Sequence, residues 1–115
     1  ASIVNMATFT GVTDHPAWWY LEMGGQNPSQ DQDSFDRYAP WKYLANWKTP
    51  TLIIHGEKDY RCPVSEALAL FEGLQYHGVE SELLLFPDEC HFIQKPPNIL
   101  AWYDTISAFL GRYMQ

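Results

Sequence analysis

The pattern of apolar positions is clearest in the second half of the chain. Thr51–His55 is a nearly continuous run of apolar and β-branched residues closed by Gly56, which is typical of a strand buried on both faces of a parallel sheet. After a loop ending at Pro63, apolar residues recur from Val64 to Leu74 at the spacing of one helix face. Gly78 then stands where glycine commonly ends a helix. This pattern predicts a strand followed by a helix.

A second strand and helix follow. Glu82–Phe86 has the apolar character of a buried strand and ends at Pro87. Beyond a loop that runs to Pro97, apolar residues from Ile99 to Tyr113 again fall at helical spacing. The order strand, helix, strand, helix predicts an α/β fold, with parallel strands joined by a right-handed crossover and flanked by helices.

The first half of the chain is less regular. Ser2–Met6 is a short apolar run that we interpret as a buried strand. Pro16–Met23 and Ser34–Tyr38 are predicted as short helices, the second with Ser34 as its N-cap. The aromatic segment Trp18-Trp19-Tyr20 either lines a substrate pocket or belongs to the core.

Composition and charge exclude some classes of partner. The chain has 115 residues, enough for one compact unit, and a formal net charge of −7. Its few basic residues are scattered, so neither nucleic acid nor an anionic membrane surface is expected as a partner. No apolar run approaches the roughly 18 residues of a membrane span. A soluble protein is expected, whether periplasmic, secreted or cytoplasmic.

Each loop that follows a predicted strand carries one side chain suited to proton transfer. Asp59 follows the first strand and His91 follows the second, so parallel strands would bring both to the same edge of the sheet. Serine hydrolases of the α/β type place their catalytic residues in the order serine, acid, histidine. Asp59 and His91 fit the last two positions, although Glu57, Asp88 and Glu89 are alternative acids. An ordinary turn aspartate and a surface histidine remain the simpler interpretation of each residue alone.

The nucleophile is the missing member of this set. No serine stands in a G-x-S-x-G motif; Ser65 is interpreted as a helix cap, and Ser107 falls inside the last helix. The serines are Ser2, Ser29, Ser34, Ser65, Ser81 and Ser107. Cys62 and Cys90 lack the spacing of a metal motif and lie too near the acid and the base to be convincing nucleophiles. If the two loops meet, a disulfide between these cysteines is the better hypothesis.

These segments also resemble a known family. Thr49–Pro63 resembles the segment that carries the catalytic acid in the prolyl oligopeptidase family, and Phe86–Phe92 is similar to its F-P-x-E-x-H histidine motif. The helix Glu66–Tyr76 is similar to the segment between them. Upstream, Trp18–Gly25 and Tyr38–Pro40 resemble the stretch between nucleophile and acid. The resemblance covers essentially the whole chain and is closest to the dipeptidyl-peptidase and acylaminoacyl-peptidase branch.

The resemblance implies a site and a domain context. Asp59 and His91 would be triad members, and residues 1–115 the C-terminal segment of an α/β-hydrolase peptidase domain. The serine elbow, the oxyanion hole and an N-terminal β-propeller would precede Ala1 in the same protein. No metal or organic cofactor is implied. Cys90, where the branch typically has glycine, and Cys62, where it commonly has an apolar residue, depart from the pattern.

The function implied is that of a serine peptidase that removes dipeptides or acylated amino acids from peptide N-termini. The partners implied are a peptide substrate and the rest of the same protein, and a homo-oligomer remains open. The isolated chain is expected to be inactive. A carboxylesterase of the α/β-hydrolase type and a non-catalytic hydrolase-like fragment are the alternatives.

Overall fold

The computed structural model describes residues 1–114 and contains a parallel pair of strands with helices packed around it. The elements, in chain order, are α1 (Met6–Val12), α2 (Pro16–Glu22), α3 (Gln32–Arg37), a 3-10 helix (Pro40–Asn46), β1 (Thr51–Gly56), α4 (Val64–Tyr76), β2 (Ser81–Phe86) and α5 (Pro96–Gly111). Within residues 1–114, no helix has the length and apolar character needed to cross a bilayer.

The two strands form the centre of the fold. β1 and β2 pair in parallel, with Thr51 opposite Ser81 and Gly56 opposite Phe86. Both predicted strands and their parallel order are therefore confirmed, with α4 as the crossover between them. Because Gly56 and Phe86 end their strands side by side, the two loops that follow begin at the same edge of the sheet.

The hydrophobic core lies between α4 and one face of the sheet. Its buried members are Val4, Leu44, Ile53, Ala67, Leu70, Leu74 and Val79. Burial of one leucine side chain such as Leu74 contributes about 1.5–3 kcal/mol. On the other face, Ile54 shares a recess with Trp102 of α5, and most of β2 is only half-buried. The sheet of this chain is thus less covered than the sequence pattern predicts.

The end of α4 agrees with the prediction from Gly78. This glycine has a φ of 69°, in the left-handed region that favours glycine. Its backbone N–H donates to the carbonyl of Gln75 at 3.0 Å, and the N–H of Val79 donates to Leu74 at 2.9 Å. This pair of bonds is a Schellman motif, and the burial of Val79 beside Leu74 supplies its hydrophobic contact.

The strand expected at Ser2–Met6 is wrong. Residues 1–5 are irregular, and α1 begins at Met6 with Asn5 as its N-cap. The apolar run is explained by burial of Val4 in the core, whereas the backbone N–H groups of Val4 and Asn5 donate to the Glu66 carboxylate at 2.8 and 2.9 Å. A side chain of α4 thus takes the place of a neighbouring strand.

The two short helices of the first half exist, but the predicted caps are wrong. The N-cap of α3 is Asp31, whose carboxylate accepts the backbone N–H of Ser34 at 3.2 Å, so Ser34 is the capped residue. The N-cap of α4 is Pro63, which offers no side-chain acceptor, and Ser65 lies inside the helix. Several Ser and Asp residues near a helix start satisfy the same local rule, and only the backbone geometry selects one.

Candidate active site

The loop of residues 57–63, named the acid loop, holds Asp59 in a fixed orientation. Asp59 is 3% exposed, and its Oδ1 accepts the backbone N–H groups of Arg61 at 2.9 Å and Cys62 at 2.8 Å. Both bonds form within the tight turn after β1, which is an ordinary arrangement for an aspartate in a loop. The second carboxylate oxygen, Oδ2, remains for another partner.

The loop of residues 87–95, named the histidine loop, supplies that partner. His91 Nδ1 lies 2.9 Å from Asp59 Oδ2, and the His91 side chain is 38% exposed. A carboxylate that accepts from Nδ1–H places the lone pair of a neutral imidazole on Nε2. The geometry therefore yields a histidine whose outward nitrogen can accept a proton and whose inner nitrogen lies beside a negative charge.

A close backbone contact holds the two loops together at Gly56. The backbone N–H of Lys58 donates to the carbonyl of Glu89 at 2.9 Å, and that of Glu57 donates to Phe86 at 2.9 Å. A Cβ placed on Gly56 would lie 2.6 Å from the carbonyl oxygen of Glu89, nearer than side chains tolerate. Glycine is therefore required here, because the histidine loop passes directly over the end of β1.

The alternative acids have other roles in the structure. Glu89 is buried, and its carboxylate accepts the backbone N–H groups of Gln94 at 3.1 Å and Lys95 at 2.9 Å. Burial alone would raise the pKa of Glu89, but hydrogen bonds from Asn98, Lys95 and Gln94 outweigh it and hold the pKa below its usual value. Asp88 pairs with Lys95 at the surface, and Glu57 is exposed. Asp59 is thus the carboxylate that contacts His91.

A second histidine near this pair was not singled out from the sequence. His55 is 1% exposed, and its Nε2 lies 2.6 Å from the carbonyl of Cys62 and 3.6 Å from Asp59 Oδ2. Burial lowers the pKa of His55, so the ring is neutral and donates from Nε2 to the Cys62 carbonyl. In the sequence, His55 is the polar residue at the end of an otherwise apolar predicted strand, and this position could have marked it as a candidate.

The first half of the chain is attached to the acid loop. Asp14 accepts from Arg61 Nε at 2.6 Å, and the backbone N–H of Asp14 donates to the carbonyl of Tyr60 at 2.8 Å. Thr13 Oγ1 donates to the carbonyl of Arg61 at 2.8 Å. The guanidinium of Arg61 lowers the pKa of Asp14, so this carboxylate is ionised at neutral pH. These contacts place α1 and α2 next to the candidate pair.

An aromatic cleft of about 480 Å³ opens between α2 and His91. The residues that line it are Ile3, Phe9, His15, Trp18, Trp19, Arg61, Cys62 and His91. Trp18 is half exposed, and Trp19 packs edge-on against Phe9 with ring centroids 5.2 Å apart. Of the two interpretations of the aromatic segment, the structure supports a pocket lining for Trp18 and Trp19.

Both cysteines are free thiols, so the disulfide hypothesis is wrong. Cys62 is buried in the wall of the cleft, whereas Cys90 is exposed. The two loops do meet, but they bring Cys62 rather than Cys90 close to Asp59 and His91. Burial raises the pKa of the Cys62 thiol, and the Asp59 charge acts in the same direction, so the thiol is neutral at neutral pH.

The chain is similar in sequence to curated proteins of known identity. It is 37% identical to dipeptidyl-peptidase 5 of Porphyromonas gingivalis over 118 residues, which cover 100% of this chain and 17% of that protein. It is 39% identical to dipeptidyl-peptidase 5 of Schizosaccharomyces pombe over 89 residues, which cover 77% of this chain and 13% of that protein. The chain thus spans less than a fifth of the length of these relatives.

Solved structures agree with these sequence matches. The Pyrococcus horikoshii acylaminoacyl peptidase superposes with a TM-score of 0.87 at 27% identity, over 96% of this chain and 18% of that one. This neighbour supports an α/β-hydrolase fold, of which the chain contains two parallel strands and their helices. The family model described as "Prolyl oligopeptidase family" matches residues 1–115. The chain therefore belongs to the prolyl oligopeptidase family.

Proposed function

We propose that this chain is the C-terminal part of the catalytic domain of a serine peptidase, in which Asp59 is the acid and His91 the base. The observation that carries the proposal is the 2.9 Å contact between Asp59 Oδ2 and His91 Nδ1, made while Oδ1 is held by two backbone N–H groups. Asp59 is buried and His91 is open to a cleft, as an orienting acid and a working base require.

The serine belongs to the part of the protein that precedes this chain. His91 borders both the aromatic cleft and the recess between Ile54 and Trp102, and no serine of residues 1–114 lines either of them. No serine stands in a G-x-S-x-G motif. This part would also supply the oxyanion donors. A β-propeller in front of the hydrolase domain is part of the same proposal and rests on the family resemblance alone.

The reaction is acyl transfer in two stages. The serine oxygen attacks the peptide carbonyl carbon, and His91 Nε2 takes the hydroxyl proton. The tetrahedral intermediate collapses when His91 returns a proton to the leaving amine. Water then attacks the acyl-enzyme, with His91 again accepting a proton and passing it to the serine. The Asp59 carboxylate, in contact with His91 Nδ1, stabilises the imidazolium in both stages.

The substrates proposed are peptides that lose an N-terminal dipeptide or an acylated amino acid. The names of the relatives, dipeptidyl-peptidase 5 and acylaminoacyl peptidase, support this class. The cleft walled by Trp18, Trp19 and Phe9 offers apolar surface next to His91. We infer that it receives an apolar side chain of the peptide, since aromatic walls bind such groups by burial and edge contacts.

The full-length protein tests the proposal by fluorophosphonate labelling and a substrate panel. The expected result is one labelled serine outside this chain, and hydrolysis of a dipeptide anilide or an N-acylaminoacyl anilide. His91→Gln should remove the label, because the serine loses its base. The matched control is His77→Gln, at the exposed end of α4, which should label like the wild type.

Other outcomes would separate the alternatives. Hydrolysis of a short-chain ester, with both anilides untouched, would indicate a carboxylesterase. A protein that folds but takes no label would indicate a non-catalytic module. Label that persists in His91→Gln would show that His91 is not the base.

A further inference from the structure

Three side chains with different donor atoms converge at the edge of the cleft. The carboxylate of Asp59, the thiol of Cys62 and a ring nitrogen of His91 all lie within 4.8 Å of one another. Asp59 and Cys62 share the turn after β1, where the backbone N–H of Cys62 donates to Asp59 Oδ1 at 2.8 Å. His91 reaches the same point from the other loop. Nothing in the proposed reaction uses the Cys62 thiol.

This donor set matches the preferences of zinc. Zinc accepts oxygen, nitrogen and sulfur ligands, and sites with three protein ligands keep a fourth position open. Zinc–ligand bonds of about 2.0–2.3 Å place the ligand atoms of a tetrahedral site roughly 3.5 Å apart. Zinc binding requires Cys62 and His91 to move toward this spacing; His91 is partly exposed, and both side chains line the cleft. A thiolate ligand disfavours magnesium and calcium.

We propose that Asp59, Cys62 and His91 form a zinc site through which zinc reversibly inhibits the peptidase. The inhibition, though not the binding, rests on the function proposed above. The cleft provides an entry path for the ion.

Zinc and catalysis compete for the same groups. On binding, the Cys62 thiol releases its proton to solvent, and the ligating nitrogen of His91 carries no proton, the ring proton residing on the other nitrogen. Zinc then binds the lone pair of one His91 ring nitrogen and the carboxylate of Asp59. His91 can no longer accept the serine proton with Asp59 as its partner, so turnover stops until zinc leaves.

The two free cysteines provide a matched pair for the test. Cys62 belongs to the cluster, whereas Cys90 is exposed and adjoins His91 only in sequence. The full-length protein, treated with chelator and then freed of it, is titrated with zinc chloride as wild type, Cys62→Ser, Cys62→Ala and Cys90→Ala. Rates are taken on the substrate it hydrolyses best and expressed relative to each variant's own zinc-free rate.

The expected result separates the two positions. Wild type and Cys90→Ala should be inhibited alike and recover with EDTA, whereas both Cys62 variants should need at least about tenfold more zinc, equivalent to 1.4 kcal/mol of binding. Equal inhibition of wild type and both Cys62 variants would overturn the site, as would loss of inhibition in Cys90→Ala alone. Cys62→Ser and Cys62→Ala introduce side chains of similar or smaller size than cysteine. The melting temperature of each variant shows whether a changed response to zinc comes from a loss of folding.

Cobalt binding gives a readout that needs no activity. Co²⁺ held by a thiolate shows a charge-transfer band in the near ultraviolet, expected for wild type and Cys90→Ala and lost in both Cys62 variants. A band in a protein that hydrolyses nothing would leave the site standing while the proposed function fails. An active protein with neither band nor zinc inhibition would overturn this inference alone.

Discussion

The acid loop and the histidine loop are each held by a carboxylate that accepts backbone N–H groups, but the two carboxylates differ in their other contacts. In the acid loop, Asp59 accepts the backbone N–H groups of Arg61 and Cys62. In the histidine loop, Glu89 accepts those of Gln94 and Lys95. Each loop is thus held by one buried carboxylate that accepts two consecutive backbone N–H groups.

The two carboxylates differ in how their hydrogen-bond donors are distributed over the two oxygens. Asp59 takes both backbone N–H groups on Oδ1 and leaves Oδ2 for His91 at 2.9 Å. Glu89 takes one on each oxygen, and Oε1 also accepts from Asn98 at 2.8 Å. Asp59 thus has one oxygen that no backbone group uses and that contacts His91, whereas both Glu89 oxygens accept donors from its own loop and from Asn98. Three changes test this comparison.

The largest expected effect is that of Asp59→Asn in the full-length protein. Asparagine keeps the Oδ1 acceptor for Arg61 and Cys62, so the loop should fold. Its amide nitrogen would donate to His91 Nδ1 and impose the wrong tautomer, so turnover should fall by roughly 10⁴-fold. Steady-state kinetics and circular dichroism measure the two effects. Turnover within tenfold of the wild type would refute the assignment of Asp59.

The second change, Gly56→Ala, tests the contact between the loops. The added Cβ would crowd the backbone carbonyl of Glu89 at 2.6 Å, and backbone cannot move as a side-chain tip can. Separation of the loops by a fraction of an ångström should cost up to about 10²-fold in turnover and roughly 1–3 kcal/mol of stability. The control is Gly11→Ala in α1, where no atom lies within 4 Å of the added Cβ. If both variants behave alike in kinetics and thermal unfolding, the close contact does not matter.

The smallest effect on turnover is expected for Glu89→Gln. One oxygen becomes an amide that cannot accept a backbone N–H, which should lower the free energy of unfolding by about 1–3 kcal/mol. Turnover should fall less than tenfold, because the hydrogen bond of His91 is made to Asp59 and not to Glu89. Asp88→Asn, at the exposed neighbouring position, is the control and should change stability little. A loss of turnover as deep as that of Asp59→Asn would erase the distinction between the two carboxylates.

The second half of the chain was predicted well from its sequence. The strand at Thr51–His55, the helix from Val64 and the stop at Gly78 each depend on neighbours within a few residues. Such patterns carry their own structural information, because periodicity and glycine conformation act locally. The parallel order followed from the same elements, and it predicted that Asp59 and His91 lie at one edge of the sheet.

The first half was predicted poorly because its structure depends on distant groups. Ser2–Met6 has the composition of a strand, but Glu66, some sixty residues away, takes its backbone donors. The caps at Ser34 and Ser65 failed for a related reason, since several residues near a helix start can satisfy the same rule. Local composition cannot distinguish a strand from a segment held by a remote carboxylate.

The sequence by itself determined the α/β order, the edge at which the site lies and the pair of residues best suited to proton transfer. Only the tertiary structure decided which carboxylate keeps a free oxygen, that Trp18 and Trp19 wall a cleft, and that Cys62 rather than Cys90 joins Asp59 and His91. The physical reason is the distance along the chain over which each feature is determined. Hydrophobic periodicity depends on residues that are close in sequence. The hydrogen bonds that each carboxylate oxygen accepts, and the contact between the two loops, depend on groups that only folding brings together.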